Sequence, residues 1–239
     1  MSDYFIFGGV DTRTFNAAVY RQNVETVGPQ LYKVYEVPGR NGDILLPEGR
    51  YPNRQERYNI LITGTNAVQN MDDLKNALLA ITGYARLEDS FDTDVFYSAA
   101  LLDNFDIVYD RERTAAKCLI TFNRKPQRFL KSGENSISFP ASDNIINPTL
   151  FAAEPLIEFT GTGTFVVGDT FITASNIYGW KYIDCQAKTC YKNDTDCSDR
   201  IEFSPNNDYP KLSPGATYIG LVEGGDISSL KITPRWWKL

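Results

Sequence analysis

Apolar and polar residues alternate with period two over most of the chain, which predicts a protein built mainly from β-strands. Residues 3–10 make a short aromatic strand closed by Gly8-Gly9. In residues 31–37, Leu31, Lys33, Tyr35 and Val37 fall on one face, and Tyr32, Val34 and Glu36 on the other. Pro38-Gly39-Arg40-Asn41-Gly42 then supplies the fixed and positive φ values of a tight turn, and Asp43-Ile44-Leu45-Leu46 follows it. This predicts a β-hairpin with Arg40 at its tip. Tyr58, Ile60 and Ile62 alternate with Asn59, Leu61 and Thr63 in a further strand.

A helical period occurs once. Met71, Leu74, Leu78 and Ile81 recur at i, i+3, i+7 and i+10, so this stripe is expected to face a sheet. Asn70 is the expected N-cap, Asp72 and Asp73 suit a helix N-terminus, and Gly83 is the expected stop. Strands are predicted over 96–102, 105–109 and 118–122, after which Arg124, Lys125, Arg128 and Lys131 read as a basic connector, solvated or, on the sharper reading, in contact with an acidic partner. From residue 136 onward every apolar run is short and bounded by turn residues, the pattern of an antiparallel sandwich or barrel. The expected fold is therefore mainly β. It has an α+β N-terminal domain, 1–131, with one helix on a sheet, and a purely β C-terminal domain, 132–239. Pro148 and Pro155 bracket the first strand of the second domain, and Gly161 with Gly163 turn the chain into the next.

The 239 residues are 42% hydrophobic and 23% charged, an ordinary composition for a globular protein. No apolar run is long enough for a membrane span, and the N-terminus does not read as a secretory signal. Net charge is −6, carried mostly by the second half. Residues 1–131 hold 16 Lys/Arg against 17 Asp/Glu, and residues 132–239 hold 8 against 13. An acidic second half argues against a nucleic-acid-coating surface there.

Candidate chemistry is sparse. The chain has no histidine, which removes Ser-His-Asp and Cys-His catalysis and the commonest metal ligand. Cys118, Cys185, Cys190 and Cys197 lack zinc-site spacing and are expected as free thiols in a reducing compartment. Glu88, Asp89, Asp92 and Asp94, and likewise Asp194, Asp196 and Asp199, miss the glycine and the distant glutamate of a calcium loop and read as solvated turns. Gly161-Thr162-Gly163 lacks the third glycine and the helix of a dinucleotide fingerprint. No cofactor, metal or catalytic residue is expected. Trp180 and Trp237 are the residues placed to stack on a sugar if the β domain is a carbohydrate-binding module for host cell-wall glycans; the competing reading makes Trp180 a core residue.

The order and spacing of several short pieces give a more specific indication. They are Val37-Pro38-Gly39-Arg40-Asn41-Gly42-Asp43-Ile44, the single helix, Arg86-Leu87-Glu88-Asp89 ahead of Phe96-Tyr97-Ser98-Ala99, Asn147-Pro148-Thr149, Pro155, Gly161-Thr162-Gly163, Leu212-Ser213-Pro214-Gly215 and Pro234-Arg235-Trp236-Trp237. Together these resemble, from end to end, the distal tail (Dit) proteins of long-tailed bacteriophages and prophages. The resemblance implies a homo-hexameric ring at the tail tip, formed by the N-terminal domain as a β-sandwich with one helix, with a galectin-like β-sandwich outside it. It implies a tail tube protein and a tail-associated hub protein as partners, receptor-binding proteins on the outer domain, and DNA only as cargo passing through the ring lumen. Location in the virion after assembly in the host cytoplasm follows from the same resemblance. Arg40, Asn41 and Gly42 at the hairpin tip are the expected ring contacts.

Overall fold

The computed structural model describes residues 3–21, 28–175, 179–222 and 225–239. The chain divides into two units, Met1–Arg128 with Leu239, and Phe129–Lys238.

The first unit holds β1 (Phe5–Phe7), β2 (Val10–Asp11), β3 (Ala17–Arg21), β4 (Tyr32–Tyr35), β5 (Ile44–Pro47) and β6 (Arg54–Thr63). After the helix α1 (Ala67–Leu79) come β7 (Ala85–Asp89), β8 (Val95–Leu101), β9 (Ile107–Tyr109) and β10 (Ala115–Leu130). One antiparallel sheet runs β2-β1-β7-β8-β10-β6-β3, with β9 paired to β10. Its strict alternation places Arg54, Glu56, Tyr58, Ile60 and Ile62 of β6 on a single buried face. That face meets Cys118, Ile120, Phe122 and Arg124 of β10, paired in register as Cys118↔Ile60 through Arg124↔Arg54. Phe5 of β1 lies 5.0 Å from Tyr58 of β6 by ring centroids, although four steps separate these strands in the sheet. The sheet therefore curls round its own core, and the Val19 amide donates to the Asp3 carbonyl across the remaining gap.

The helix begins one turn earlier than the sequence suggests. Asn66 occupies the N-cap, without a side-chain cap bond, and the buried stripe is Ala67, Met71, Leu74 and Leu78. Ala67 is small enough to seat against the sheet, so apolar contact extends the helix N-terminally. Asn70 then lies within it, and Asp72 pairs with Lys75 at 2.6 Å.

Unit two holds β11 (Ile137–Ser138), β12 (Asp143–Asn147), β13 (Leu156–Thr160), β14 (Gly163–Val167), β15 (Thr170–Ala174) and β16 (Lys181–Asp184). It continues with β17 (Thr189–Lys192), β18 (Thr195–Asp196), β19 (Ile201–Ser204), β20 (Gly215–Leu221), β21 (Ser229–Thr233) and β22 (Trp237–Lys238). The sheet β11-β21-β13-β16-β17-β18 and the sheet β12-β20-β14-β15-β19 enclose one apolar core, the two-layer arrangement of a β-sandwich. Phe159 of one sheet meets Phe165 of the other at 5.0 Å between ring centroids.

Asn147, at the end of β12, is buried because its side chain organises the turn that follows. Its amide nitrogen donates to the carbonyls of Phe151 and Leu212, both at 2.9 Å, and its oxygen accepts from the Thr149 amide and hydroxyl. The Gly161–Gly163 turn carries the Asp226 segment directly over it: the Asp226 amide donates to the Thr162 carbonyl at 2.7 Å. The space above these glycines is filled by the chain itself.

Candidate assembly surface

A separate two-stranded sheet, β4–β5, projects apolar side chains that none of the described residues covers. All eight of its strand residues are exposed. Tyr32, Val34, Tyr35, Ile44, Leu45 and Leu46 each expose between 36% and 58% of their surface. The register pairs Tyr32 with Pro47 and Val34 with Leu45, so one face carries no charge at all. Lys33↔Leu46 and Tyr35↔Ile44 form the other face. An isolated two-stranded hairpin is marginal in water, and a run of exposed Val, Leu, Ile and Tyr marks an interaction site.

The Leu31 amide donates to the Arg50 carbonyl and the Glu48 amide to the Leu31 carbonyl, which prolong the ladder at its base. At the tip the Arg40 amide donates to the Val37 carbonyl at 3.1 Å, and Gly39 and Gly42 both take φ of +81°. These glycines set a turn that leaves Arg40, Asn41 and Gly42 exposed beyond the strands.

A second apolar surface lies on the convex face of the curled sheet. Tyr20 of β3, Leu61 of β6, Val108 of β9 and Leu119 of β10 border a groove of about 470 Å³. Tyr20, Val108 and Leu119 are exposed there. Lys117 and Asp106 stand at its edge.

On the opposite, inner face the sheet buries charge. Both oxygens of Glu56 are occupied, by Arg21 Nε at 2.6 Å and Arg124 Nε at 2.9 Å. Asp89 accepts from the Tyr58 hydroxyl at 2.6 Å and from the amides of Phe91 and Asp92 at 3.0 Å. The Arg124 guanidinium lies 4.6 Å from the centroid of the Tyr97 ring. Burial and the Asp89 charge push the Tyr58 hydroxyl well above its usual range. Burial alone would lower Arg21, but its bond to Glu56 holds the guanidinium above its ordinary value. Arg124 and Arg128, read from sequence as a solvated connector, are strand residues: Arg124 is buried on Glu56 and Arg128 pairs with Asp92. Asp89 likewise is no solvated turn residue. The carboxylates that partner these arginines lie more than thirty residues away along the chain, which a local charge count does not reveal.

The remaining sequence candidates are dispersed. Trp180 is 39% exposed rather than core, and Lys231 Nζ lies 4.9 Å from its ring centroid. Trp237 is half-buried, donates its indole N–H to the Ala152 carbonyl at 3.0 Å, and stacks on Phe151. Among the described residues no cluster of three or more His, Cys, Asp or Glu is placed to hold a metal ion. Cys118, Cys185, Cys190 and Cys197 are free and buried. Burial pushes the Cys118 thiol up to about 12 and the Cys190 thiol to about 11, which suppresses the reactive thiolate. Ellman's reagent should therefore label the folded protein slowly and release four equivalents only on unfolding. Rapid native labelling of Cys185 or Cys190 would contradict this packing.

No protein-family model and no curated protein matches the sequence. The fold does match solved structures. The Dit protein of phage SPP1, described as a paradigm of the hub adsorption apparatus of phages infecting Gram-positive bacteria, superposes with a TM-score of 0.71 at 12% identity, over 100% of both chains. A chain of the phage P2 baseplate, in an activated conformation with calcium, gives 0.55 at 12% identity, covering 97% of this chain and 98% of that one. The same baseplate with strontium gives 0.53 at 12% identity over the same shares. The molecule is thus a two-unit, mainly β protein. Its fold, end to end, is that of a phage distal tail protein.

Proposed function

We propose that this protein is a structural component of a phage tail tip that works by assembling into a closed ring. Two surfaces of different shape and composition support that reading: the β4–β5 hairpin and the groove bordered by Tyr20, Leu61, Val108 and Leu119. Heterologous contacts need two such complementary patches on each copy, and they close into a ring when the rotation permits. The uncovered hairpin is the observation that carries the proposal. Its charge-free face, docked into the groove of the next copy, would remove several large apolar side chains from water at roughly 25 cal/mol per Å².

The solved structures of like fold are hub and baseplate proteins, which supports a place between tail tube and hub. In this proposal the ring is hexameric, its lumen passes DNA, and the second unit carries receptor-binding proteins. Assembly takes place in the host cytoplasm, and the finished ring resides in the virion. Binding and scaffolding, not catalysis, are the activities assigned.

Native mass spectrometry and light scattering test the reading. The chain is expected at six times its 26.9 kDa mass, alone or together with the tube partner. Changing Val34 and Leu45 to Asp together should leave a folded monomer, because both side chains already stand in water. A wild-type chain that stays monomeric under both conditions overturns the ring. Assembly by the double variant overturns the hairpin's part in it. Arg40→Ala should weaken assembly; an unchanged mass distribution removes the tip, but not the strands, from the interface.

A further inference from the structure

The β4–β5 hairpin has two faces, and neither is built for water. Antiparallel sheets commonly pack one face and wet the other, with polar residues on the wet side. Here Tyr32, Val34 and Leu45 of the first face are 46–58% exposed, and Tyr35, Ile44 and Leu46 of the second are 36–50% exposed. Of the eight strand residues only Lys33, on the second face, is charged. In the ring proposed above, the groove of the next copy covers the first face. Successive side chains of a strand point to opposite sides, so that contact leaves Tyr35, Ile44 and Leu46 bare.

The chemistry of the second face selects what covers it. In a ring each copy gives one hairpin and takes one, so every groove bordered by Tyr20 and Leu119 is already filled. A lipid surface is excluded by the backbone. Among the described residues β4 and β5 pair only with each other, and lipid leaves the amides and carbonyls of such open edges without partners. A nucleic acid would meet one cation among apolar side chains, too little charge to hold its phosphates. Lys33 sets a further condition. No carboxylate pairs with it among the described residues, and Glu48, two residues beyond Leu46, is held by Arg50 at 3.0 Å. Covering this face strands a buried ammonium unless the partner brings an acid.

We propose that the face formed by Lys33, Tyr35, Ile44 and Leu46 docks a protein other than this chain, through an apolar surface that places an Asp or Glu opposite Lys33. The inference rests on the ring reading and extends it: the hairpin joins two kinds of neighbour at once, the next copy on one face and the second protein on the other.

Photocrosslinking in purified tails tests this, with p-benzoylphenylalanine replacing Tyr32 or Tyr35 in the full chain. The Tyr32 position should give an adduct of twice the 26.9 kDa chain mass. The Tyr35 position should give an adduct with a different polypeptide, mapped by mass spectrometry to an apolar stretch that contains Asp or Glu. Lys33→Glu should cut the second adduct by more than about tenfold, because like charges across an interface cost several kcal/mol, and should leave the first adduct unchanged. A Tyr35 adduct with another copy of this chain overturns the proposal. So does the absence of any Tyr35 adduct in tails where Tyr32 crosslinks, or a Tyr35 adduct that Lys33→Glu leaves undiminished. Loss of the Tyr32 adduct alone sinks the ring contact, not the docking of the second face.

Discussion

Glu56→Ala is expected to cost the first unit about 3–5 kcal/mol, the usual penalty for stranding buried charge. Glu56 accepts from Arg21 and Arg124 at once, and Arg54 stands directly opposite Arg124 in the register. Without the carboxylate, guanidinium groups face each other on a buried sheet face. Asp89 lies 3.9 Å from Arg21, and the Tyr97 ring centroid lies 4.6 Å from the Arg124 guanidinium. The comparison is Glu48→Ala, whose partner Arg50 is 69% exposed; such pairs contribute about 0–1 kcal/mol. The chain's three tryptophans all lie in the second unit, so the first unit is followed through urea unfolding by amide hydrogen exchange of β6 and β10. A loss below about 1 kcal/mol for Glu56→Ala would mean that the network does not hold this face together.

Gly161→Ala should destabilise the second unit by about 3 kcal/mol, at the upper end of ordinary substitutions. Gly161 has φ of +95°, and a Cβ there would sit 1.8 Å from the Asp226 carbonyl oxygen. Relief requires moving the 225–228 segment, whose Asp226 and Ser228 amides donate to the carbonyls of Thr162 and Thr160. Gly39→Ala separates the two contributions. Its φ of +81° is similarly left-handed, but a Cβ there meets nothing within 4 Å. It should cost only about 1–2 kcal/mol of backbone strain. Tryptophan fluorescence reads the second unit through Trp236, which is buried in its core. Equal urea midpoints for Gly161→Ala and wild type would show that the 225–228 crossing is not fixed.

Several elements were legible because they are local. The β4–β5 hairpin follows from alternation in 31–37 and the Pro38–Gly42 turn, and its observed strands lie where that pattern puts them. The single helix was legible from Met71, Leu74 and Leu78, although its start was not, because Ala67 gives no strong periodic signal until the sheet beneath it is known. The core reading of Trp180 failed because an indole's size favours burial, while the residue next to it, Lys181 at the start of β16, is the one that turns inward.

The candidate assembly surface divides the same way. That residues 31–47 form an apolar hairpin is written in the sequence; that none of the other described residues covers it is a tertiary fact. Tyr20, Leu61, Val108 and Leu119 come from four strands, and no spacing rule links them.

By itself, then, the sequence determined the mainly β class, the turns, the lone helix, the hairpin and the lack of histidine-based chemistry. Those properties depend on neighbours within a few residues, where backbone geometry sets the period. The tertiary structure alone decided which charges are buried and which apolar faces remain bare. Arg124 finds Glu56 across 68 residues, and a charged side chain reads as solvated or buried only once the strand opposite it is known.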